Sequence, residues 1–285
     1  MFLTCVAIWG TTWLAITFQL GPVAPEVSVS HRFLLAALCV ALWCRARGLS
    51  LAFPVRQHAA LALLGVTMYG VSYIAVYHAE RFLASGLVAI GYSASPLLSM
   101  LGARAFLGQP IAVRQAAGSA MGLAGITLIY WPEVGSLGAG DRIAAGIGFT
   151  VLAVVVSVSG GLLAQRNHQR GLHGWPTMAW SMAYGGFAAL AVALALGRDW
   201  RLDASAPYLL SLLYLSVLGT VITFAGWLTL VGRIGVARAS YVGVMAPIVA
   251  LLISTVFEGL SWHGLTVAGV AVSIAGNVLV LGGRR

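Results

Sequence analysis

The sequence predicts an all-α integral membrane protein with ten transmembrane helices. Three observations are the basis of this prediction. Hydrophobic residues make up 60% of the 285 residues and charged residues 8%, whereas a soluble domain has about 25% charged residues. Apolar segments follow one another along the whole chain, each close to the roughly 20 residues that cross a bilayer core. The charged residues are also sorted between the gaps that separate these segments.

Each predicted span is an apolar run that ends at a charged residue, a proline or a glycine. The first has no basic start and runs on through Trp9, Trp13 and Gln19, so it is interpreted as a span and not as a signal peptide. The second is the shortest, because His31 and Arg32 stand at its outer end. The ten segments are Met1–Leu20, Val29–Cys44, Ala59–Ala79, Leu83–Ala103, Gln115–Trp131, Ile143–Gln165, Gly174–Gly197, Ala206–Val231, Ala239–Phe257 and Gly264–Gly283.

The loop charges predict the orientation of the chain. Of the 16 arginines, 11 lie in the even-numbered gaps or the C-terminal tail. Basic loops stay on the cytoplasmic side, so we expect both termini inside, in a bacterial cytoplasmic (inner) membrane. Because topology accounts for the net charge of +9, we expect the lipid bilayer and no nucleic acid as a partner. All seven acidic residues lie in the odd gaps: Glu26, Glu80, Glu133, Asp141, Asp199, Asp203 and Glu258.

The chain repeats itself at an offset of 151 residues. Ser95-Pro96-Leu97-Leu98 matches Ala246-Pro247-Ile248-Val249, and several glycines match at the same offset. The predicted halves are 1–134 and 143–285. Each holds five spans, an odd number, so the second half must be inverted relative to the first. Pro96 and Pro247 are candidate hinges, the alternative being simple helix shape.

Two runs of small residues also match at this offset. Such runs let helix backbones approach closely, and helix packing is the default interpretation. Part of these faces is a candidate homodimer seam. The runs are Gly118, Gly122 and Gly125 in the first half and Gly269, Ser273 and Gly276 in the second.

Several motifs together resemble one transporter family. Trp9-Gly10-Thr11-Thr12, then Pro25 and Arg32-Phe33, resemble the opening of EamA-type proteins of the drug/metabolite transporter (DMT) superfamily. Phe106-Leu107-Gly108-Gln109 resembles the end of that family's first repeat, and Ala246-Pro247 its second. The resemblance covers the whole chain, and we expect the closest relatives among YddG-type amino-acid exporters.

The resemblance implies a ten-helix carrier with inverted repeats that moves small metabolites out of the cytoplasm. Related proteins export amino acids, and others move sugars or organic cations. This chain departs from the family pattern at Gln109 and Leu260, where acidic residues are expected. Because no acidic residue lies in a predicted apolar segment, coupling to protons through a buried carboxylate is not expected.

Polar side chains inside a membrane are costly and therefore mark candidate substrate sites. His78 is the foremost, as a proton sensor or carboxylate ligand; the alternative is an interfacial histidine bonded to the backbone or to Glu80. Tyr69, Tyr73 and Tyr77 are spaced to share one helix face. They suit aromatic, aliphatic or cationic groups, the alternative being packing.

Other polar and aromatic residues are candidates for the lining of a substrate cavity, with helix packing or interface anchoring as their alternative. Arg32 is expected either to pair with Glu26 or to attract an anionic group of a substrate. The remaining candidates are Trp13, Tyr92, Ser93, Trp180, Tyr184, Thr223, Trp227 and Tyr241.

Nothing in the sequence points to an enzyme. There is no phosphate-binding glycine motif, no metal-ligand spacing and no cysteine pair of CxxC type, so no cofactor and no metal are expected. The sequence therefore predicts a secondary transporter that exports small amphipathic metabolites by alternating access. Amino acids, aromatic ones included, are the expected substrates, and lipophilic or quaternary cations and drugs are the alternative.

Overall fold

The computed structural model describes residues 1–136, 141–259 and 262–281, and these residues form helices without any strand. Seven helices of this described part are long and apolar enough to cross a membrane, so the chain is a multi-pass membrane protein. These are α2 (Pro25–Ala46), α3 (Val55–Ala79), α4 (Ser85–Leu107), α6 (Asp141–Gln169), α7 (Trp175–Ala195), α8 (Ala206–Ile234) and α9 (Val236–Phe257).

Three further helices complete the described chain. The apolar helix α1 covers Phe2–Thr17, α5 covers Val113–Ser136 and α10 covers Gly264–Leu281. The first is shorter than the roughly 20 residues that a full crossing requires. Seven membrane-length helices are therefore established, and the count of ten crossings stays a prediction.

Helix α2 begins earlier than the sequence indicates. The apolar run starts at Val29, but the helix starts at Pro25, which occupies the first turn, where its missing N–H costs no hydrogen bond. Glu26 follows in the same turn and interacts favourably with the helix dipole. As a result Arg32 lies inside the helix and is fully buried, rather than at its outer end.

Two long helices contain a π-helical turn at matching positions. These turns are Val66–Val71 in α3 and Val217–Ile222 in α8. π-helical turns are rare in proteins, and many of those that do occur lie at functional sites. The two candidate hinges lie differently: Pro96 is in the first turn of the α-helix Ser95–Leu107, whereas Pro247 lies inside Val242–Phe257.

Helices α5 and α10 pack through the predicted small residues. A Cβ on Gly276 would lie 2.6 Å from the Gly118 carbonyl oxygen, and a Cβ on Gly269 would lie 2.5 Å from that of Gly125. Only a missing side chain allows such an approach. These four glycines therefore serve packing within the chain, and the homodimer stays a prediction with no surface assigned to it.

Candidate functional site

A central cavity lies among α1, α3, α4, α6, α8 and α9, and its volume is about 90 Å³. An engineered apolar cavity that binds benzene measures about 150 Å³, so an aromatic amino acid requires the surrounding helices to separate. The lining includes Trp9, Thr12, Trp13, Ile16, Met68, Tyr73, Val76, Tyr92, Ser95, Ser99, Ser157, Val158, Gly161, Phe224, Trp227, Val236, Ser240, Gly243, Ala246 and Pro247.

Aromatic rings form much of the cavity wall. The ring centroids of Trp9 and Phe224 lie 5.2 Å apart, and those of Trp9 and Trp227 lie 6.2 Å apart. Trp13 and Tyr92 form an edge contact at 5.2 Å. Such rings present flat apolar surfaces and bind cations on their faces. The wall therefore suits a molecule with an aromatic or aliphatic part and a polar or cationic end.

A few polar groups lie between these rings. Ser99 Oγ and Ser240 Oγ are hydrogen-bonded at 2.9 Å, which joins α4 to α9. Trp9 Nε1 donates to the Gly219 carbonyl oxygen at 3.1 Å, which ties α1 to the π-helical turn of α8. A mostly apolar lining with a few placed polar groups is the usual composition of a small-molecule site.

Arg32 lies next to this cavity. Its Nε donates to Thr220 Oγ1 at 3.0 Å, and its Cζ lies 4.6 Å from the ring centroid of Tyr73. The pairing with Glu26 considered from the sequence does not form, because Glu26 bonds to His78 instead. Within the described part of the chain, the Arg32 guanidinium has no carboxylate within 4 Å, and its Nη1 has no hydrogen-bond partner.

His78 belongs to a polar cluster outside the cavity. Its Nε2 bonds to Glu26 Oε1 at 2.7 Å, and its ring stacks on Phe149 with centroids 5.0 Å apart. Arg198 Nε lies 3.9 Å from Glu26 Oε2. The bond to Glu80 that the sequence offered as an alternative for His78 does not form among the described residues, because His78 bonds to Glu26. His78 instead joins α3 to α2, and its stacking contact reaches α6.

Two carboxylates of the described residues are buried, although both lie in gaps between the predicted apolar segments. Glu26 is 1% exposed and Glu80 is 7% exposed. Both carboxylate oxygens of Glu80 lack a hydrogen-bond partner among the described residues. Glu26 lies in the first turn of α2, and Glu80 directly follows the end of α3. Glu26 and Glu80 are therefore buried carboxylates that the apolar segments of the sequence did not indicate.

We expect His78→Ala to lower the stability of the folded protein by about 1–3 kcal/mol, because it removes the hydrogen-bond partner of a buried carboxylate. His78→Gln retains a donor and should lose less. Thermal unfolding in detergent, followed by fluorescence-detected size exclusion, measures the difference. His263 is exposed, so His263→Ala is the control. Equal midpoints for the two alanine variants would contradict the assignment.

The structure brings four of the predicted substrate residues together and places the others elsewhere. Trp13, Tyr73, Tyr92 and Trp227 line the central cavity. Tyr77 instead donates to Gln19 Oε1 at 2.7 Å. The predicted tyrosine face is divided because Tyr69 lies in the π-helical turn, where it contacts Phe33 and Phe224.

Trp180 and Tyr184 stack on one another near the beginning of α7, away from the cavity lining. Trp180 Nε1 donates to the Leu51 carbonyl oxygen at 2.8 Å, and the Tyr184 hydroxyl bonds to His58 Nδ1 at 2.8 Å. These contacts join α7 to the residues before and at the start of α3. The pair has the geometry of a structural contact between helices.

Three further candidates are buried but do not line the cavity. Tyr241 is hydrogen-bonded to Ser119 Oγ at 3.1 Å. Thr223 Oγ1 donates at 2.6 Å to the carbonyl oxygen of Leu218, five residues earlier, in the π-helical turn. Ser93 lies in the 3₁₀ turn of α4. Their roles in substrate binding stay predictions.

Several lining residues are not among the substrate contacts predicted from the sequence. Trp9 is one of them, yet it precedes Trp13 by one helical turn and shares its face. Ser95 and Ser99 have the same spacing around Pro96. That spacing is the signal that could have identified them. No pattern within α6 or α9 indicates Ser157 or Ser240.

A second hollow of about 320 Å³ lies between α3, α6, α7 and α8. His168, His173 and Arg233 are among its lining residues. Tyr69 lines this hollow and Phe224 lines the central cavity, and their ring centroids lie 4.8 Å apart. This aromatic contact therefore stands between the two spaces.

Comparison with known proteins decides the family. The model of the EamA-like transporter family matches this chain twice, over residues 1–131 and 144–282. The chain belongs to the EamA-like transporter family. Within the DMT superfamily it is therefore a membrane transporter and not an enzyme.

Full-length relatives of this EamA-like transporter support the same assignment. Protein PecM of Dickeya dadantii is 27% identical over 96% of this chain and 88% of its own length. A probable terminal-alkyne amino-acid exporter of Streptantibioticus cattleyicolor is 27% identical, covering 98% and 93%. A probable amino-acid metabolite efflux pump of Salmonella typhimurium is 25% identical, covering 99% and 94%.

A solved crystal structure shares the fold of this EamA-like transporter. It superimposes with a TM-score of 0.78, covering 98% of this chain and 94% of the other, at 18% identity. At that identity the likeness supports the fold alone. The function must be argued from the site.

Proposed function

We propose that this EamA-like transporter exports small amphipathic metabolites, amino acids including aromatic ones among them. The observation that carries the proposal is the central cavity, whose wall is built from aromatic rings with a few polar groups between them. Two full-length relatives are named as a probable amino-acid exporter and a probable amino-acid metabolite efflux pump. Trp13, Tyr73, Tyr92 and Trp227 are the residues we assign to direct substrate contact.

The proposed mechanism is alternating access between two inverted halves, 1–134 and 143–285. The two π-helical turns support it, because Val66–Val71 and Val217–Ile222 are separated by the same 151 residues as the sequence repeat. The family matches the chain twice, once in each half. In inverted-repeat transporters the substrate site lies near mid-membrane between the repeats. Pro96 and Pro247 are the proposed hinges.

The proposed orientation has ten crossings, with both termini on the cytoplasmic side of the bacterial inner membrane. The arginines of the even-numbered gaps support it, because Arg45, Arg104, Arg166 and Arg233 are all exposed near helix ends. Exposed basic residues at helix ends favour retention on the cytoplasmic side.

Efflux from proteoliposomes tests the function. Vesicles that contain the purified protein are loaded with radiolabelled phenylalanine or threonine, and efflux is followed with and without a pH gradient. We expect phenylalanine efflux above that of empty vesicles. No efflux of either amino acid would refute the proposed substrate class.

The aromatic wall also supports a second candidate function, the export of lipophilic or quaternary cations. Aromatic faces bind such cations without a carboxylate, and Trp9, Phe224 and Trp227 converge on one side of the cavity. Methyl viologen serves as the probe in the same vesicles. Viologen efflux without amino-acid efflux would favour this second function.

A further inference from the structure

The buried arginine of α2 suggests how the substrate is anchored. We propose that the Arg32 guanidinium binds the carboxylate of the transported amino acid. This inference rests on the proposed export of amino acids and deepens it, because it names the substrate group that the site recognises. The substrate class is thereby narrowed to molecules that combine a carboxylate with an apolar or aromatic part.

The Arg32 charge is buried and incompletely paired. A buried charge is costly unless it is paired, and an ionisable residue within a transmembrane helix marks a functional site by default. Arg32 is 0% exposed. Its Nε is satisfied by Thr220, but its Nη1 is unpaired and no carboxylate lies within 4 Å among the described residues.

The guanidinium lies beside the central cavity. Tyr73 lines the cavity, and its ring packs directly against Arg32. A Cβ placed on Gly219 would lie 3.5 Å from Arg32 Nη2 and 2.7 Å from the methyl group of Thr12, which also lines the cavity. One layer of side chains thus separates the guanidinium from the cavity. A displacement of Tyr73 would open a path from the cavity to the guanidinium.

The chemistry of the guanidinium suits a carboxylate. A guanidinium offers parallel N–H donors that match the two oxygens of a carboxylate. The aromatic wall would hold the apolar part of the same molecule. An amino acid thus satisfies both parts of the site, whereas its amide satisfies only the wall.

A competing role for Arg32 is that of counter-charge for Glu80, because the two residues carry opposite formal charges and both are buried. In that role, Arg32 would stabilise the fold and would not discriminate between ligands. If Arg32 has that role, removing Arg32 alone would impair folding and phenylalanine binding, and removing Glu80 as well would restore both. The two roles therefore predict different behaviour for a double variant.

Equilibrium binding in detergent distinguishes these roles, with tryptophan fluorescence as the readout because Trp9, Trp13 and Trp227 line the cavity. The ligands are phenylalanine and phenylalaninamide. For Arg32→Gln we expect the Kd of phenylalanine to rise about tenfold to a hundredfold, and that of the amide to change less than about threefold. Arg32→Lys keeps the charge and the fold but lacks the fork, and should weaken phenylalanine binding by about tenfold. Arg104→Gln, which removes an exposed arginine of α4, is the matched control.

Several outcomes would overturn the proposal. Carboxylate recognition by Arg32 would be excluded if Arg32→Lys weakened the binding of both ligands equally. It would also be excluded if the wild type bound both ligands with equal affinity. Neither result would contradict the export function. Recovery of phenylalanine binding in Arg32→Gln with Glu80→Gln would assign Arg32 to the counter-charge role. Failure of the wild type to bind either ligand would overturn the proposed function, and this inference with it.

Discussion

Ser157→Phe is expected to abolish transport while leaving the protein folded. Ser157 lines the central cavity, whose volume is only about 90 Å³. A phenyl ring added there fills the space that the substrate requires, and because the cavity is smaller than a benzene site the neighbouring helices must shift to hold it, at a cost of about 1–3 kcal/mol. The measurement is the initial rate of phenylalanine efflux from proteoliposomes, which we expect to fall at least about a hundredfold, or some 2.7 kcal/mol.

Ser159→Phe is the matched control for this blocking variant. Ser159 lies two residues further along the same helix and is exposed on the other face. A phenyl ring there meets lipid and should leave the rate within about twofold of wild type. If the two variants transport equally well, the central cavity is not on the substrate path.

Gly276→Leu is expected to disrupt the fold itself. A Cβ at this position would lie 2.6 Å from the Gly118 carbonyl oxygen and 2.8 Å from Met121 Cβ. A backbone atom cannot move aside as the end of a flexible side chain can. The two helices must therefore separate along their contact, which we expect to cost about 3 kcal/mol or more. Recovery of monodisperse protein from size exclusion in detergent measures the loss.

A second glycine controls for the general effect of leucine in a membrane helix. Gly148 lies in α6, and a Cβ there meets nothing within 4 Å. Gly148→Leu should give the wild-type yield, because leucine has a higher helix propensity than glycine. A wild-type yield for Gly276→Leu would mean that α5 and α10 do not pack as described.

The sequence predicts the apolar helices well and the polar helix beginnings poorly. Apolar runs identify most helices because burial in lipid demands them. The start of α2 was missed because Glu26, His31 and Arg32 interrupt the run, and hydropathy cannot register that a protein interior will enclose them. Prolonging the helix to Pro25 buries the charged groups on which the candidate site depends.

The candidate site is only partly predictable for a related reason. Helical spacing indicates which residues share a face, and Trp13, Tyr73, Tyr92 and Trp227, all singled out from the sequence, line the central cavity. It does not indicate which other helix covers that face. Trp180 and Tyr184 are also spaced by one helical turn, but they contact His58 and the residues before α3 and do not line the cavity.

The direction in which the cavity side chains point depends on the number of residues in each π-helical turn. One residue turns an α-helix by about 100°, so the extra residue in Val66–Val71 fixes the direction of every side chain that follows it in α3. Deleting one residue from this turn would rotate Tyr73 out of the cavity without changing the composition of the helix. The turn Val217–Ile222 has the same effect on Phe224 and Trp227. Insertions and deletions in these two turns are therefore more disruptive than most substitutions there.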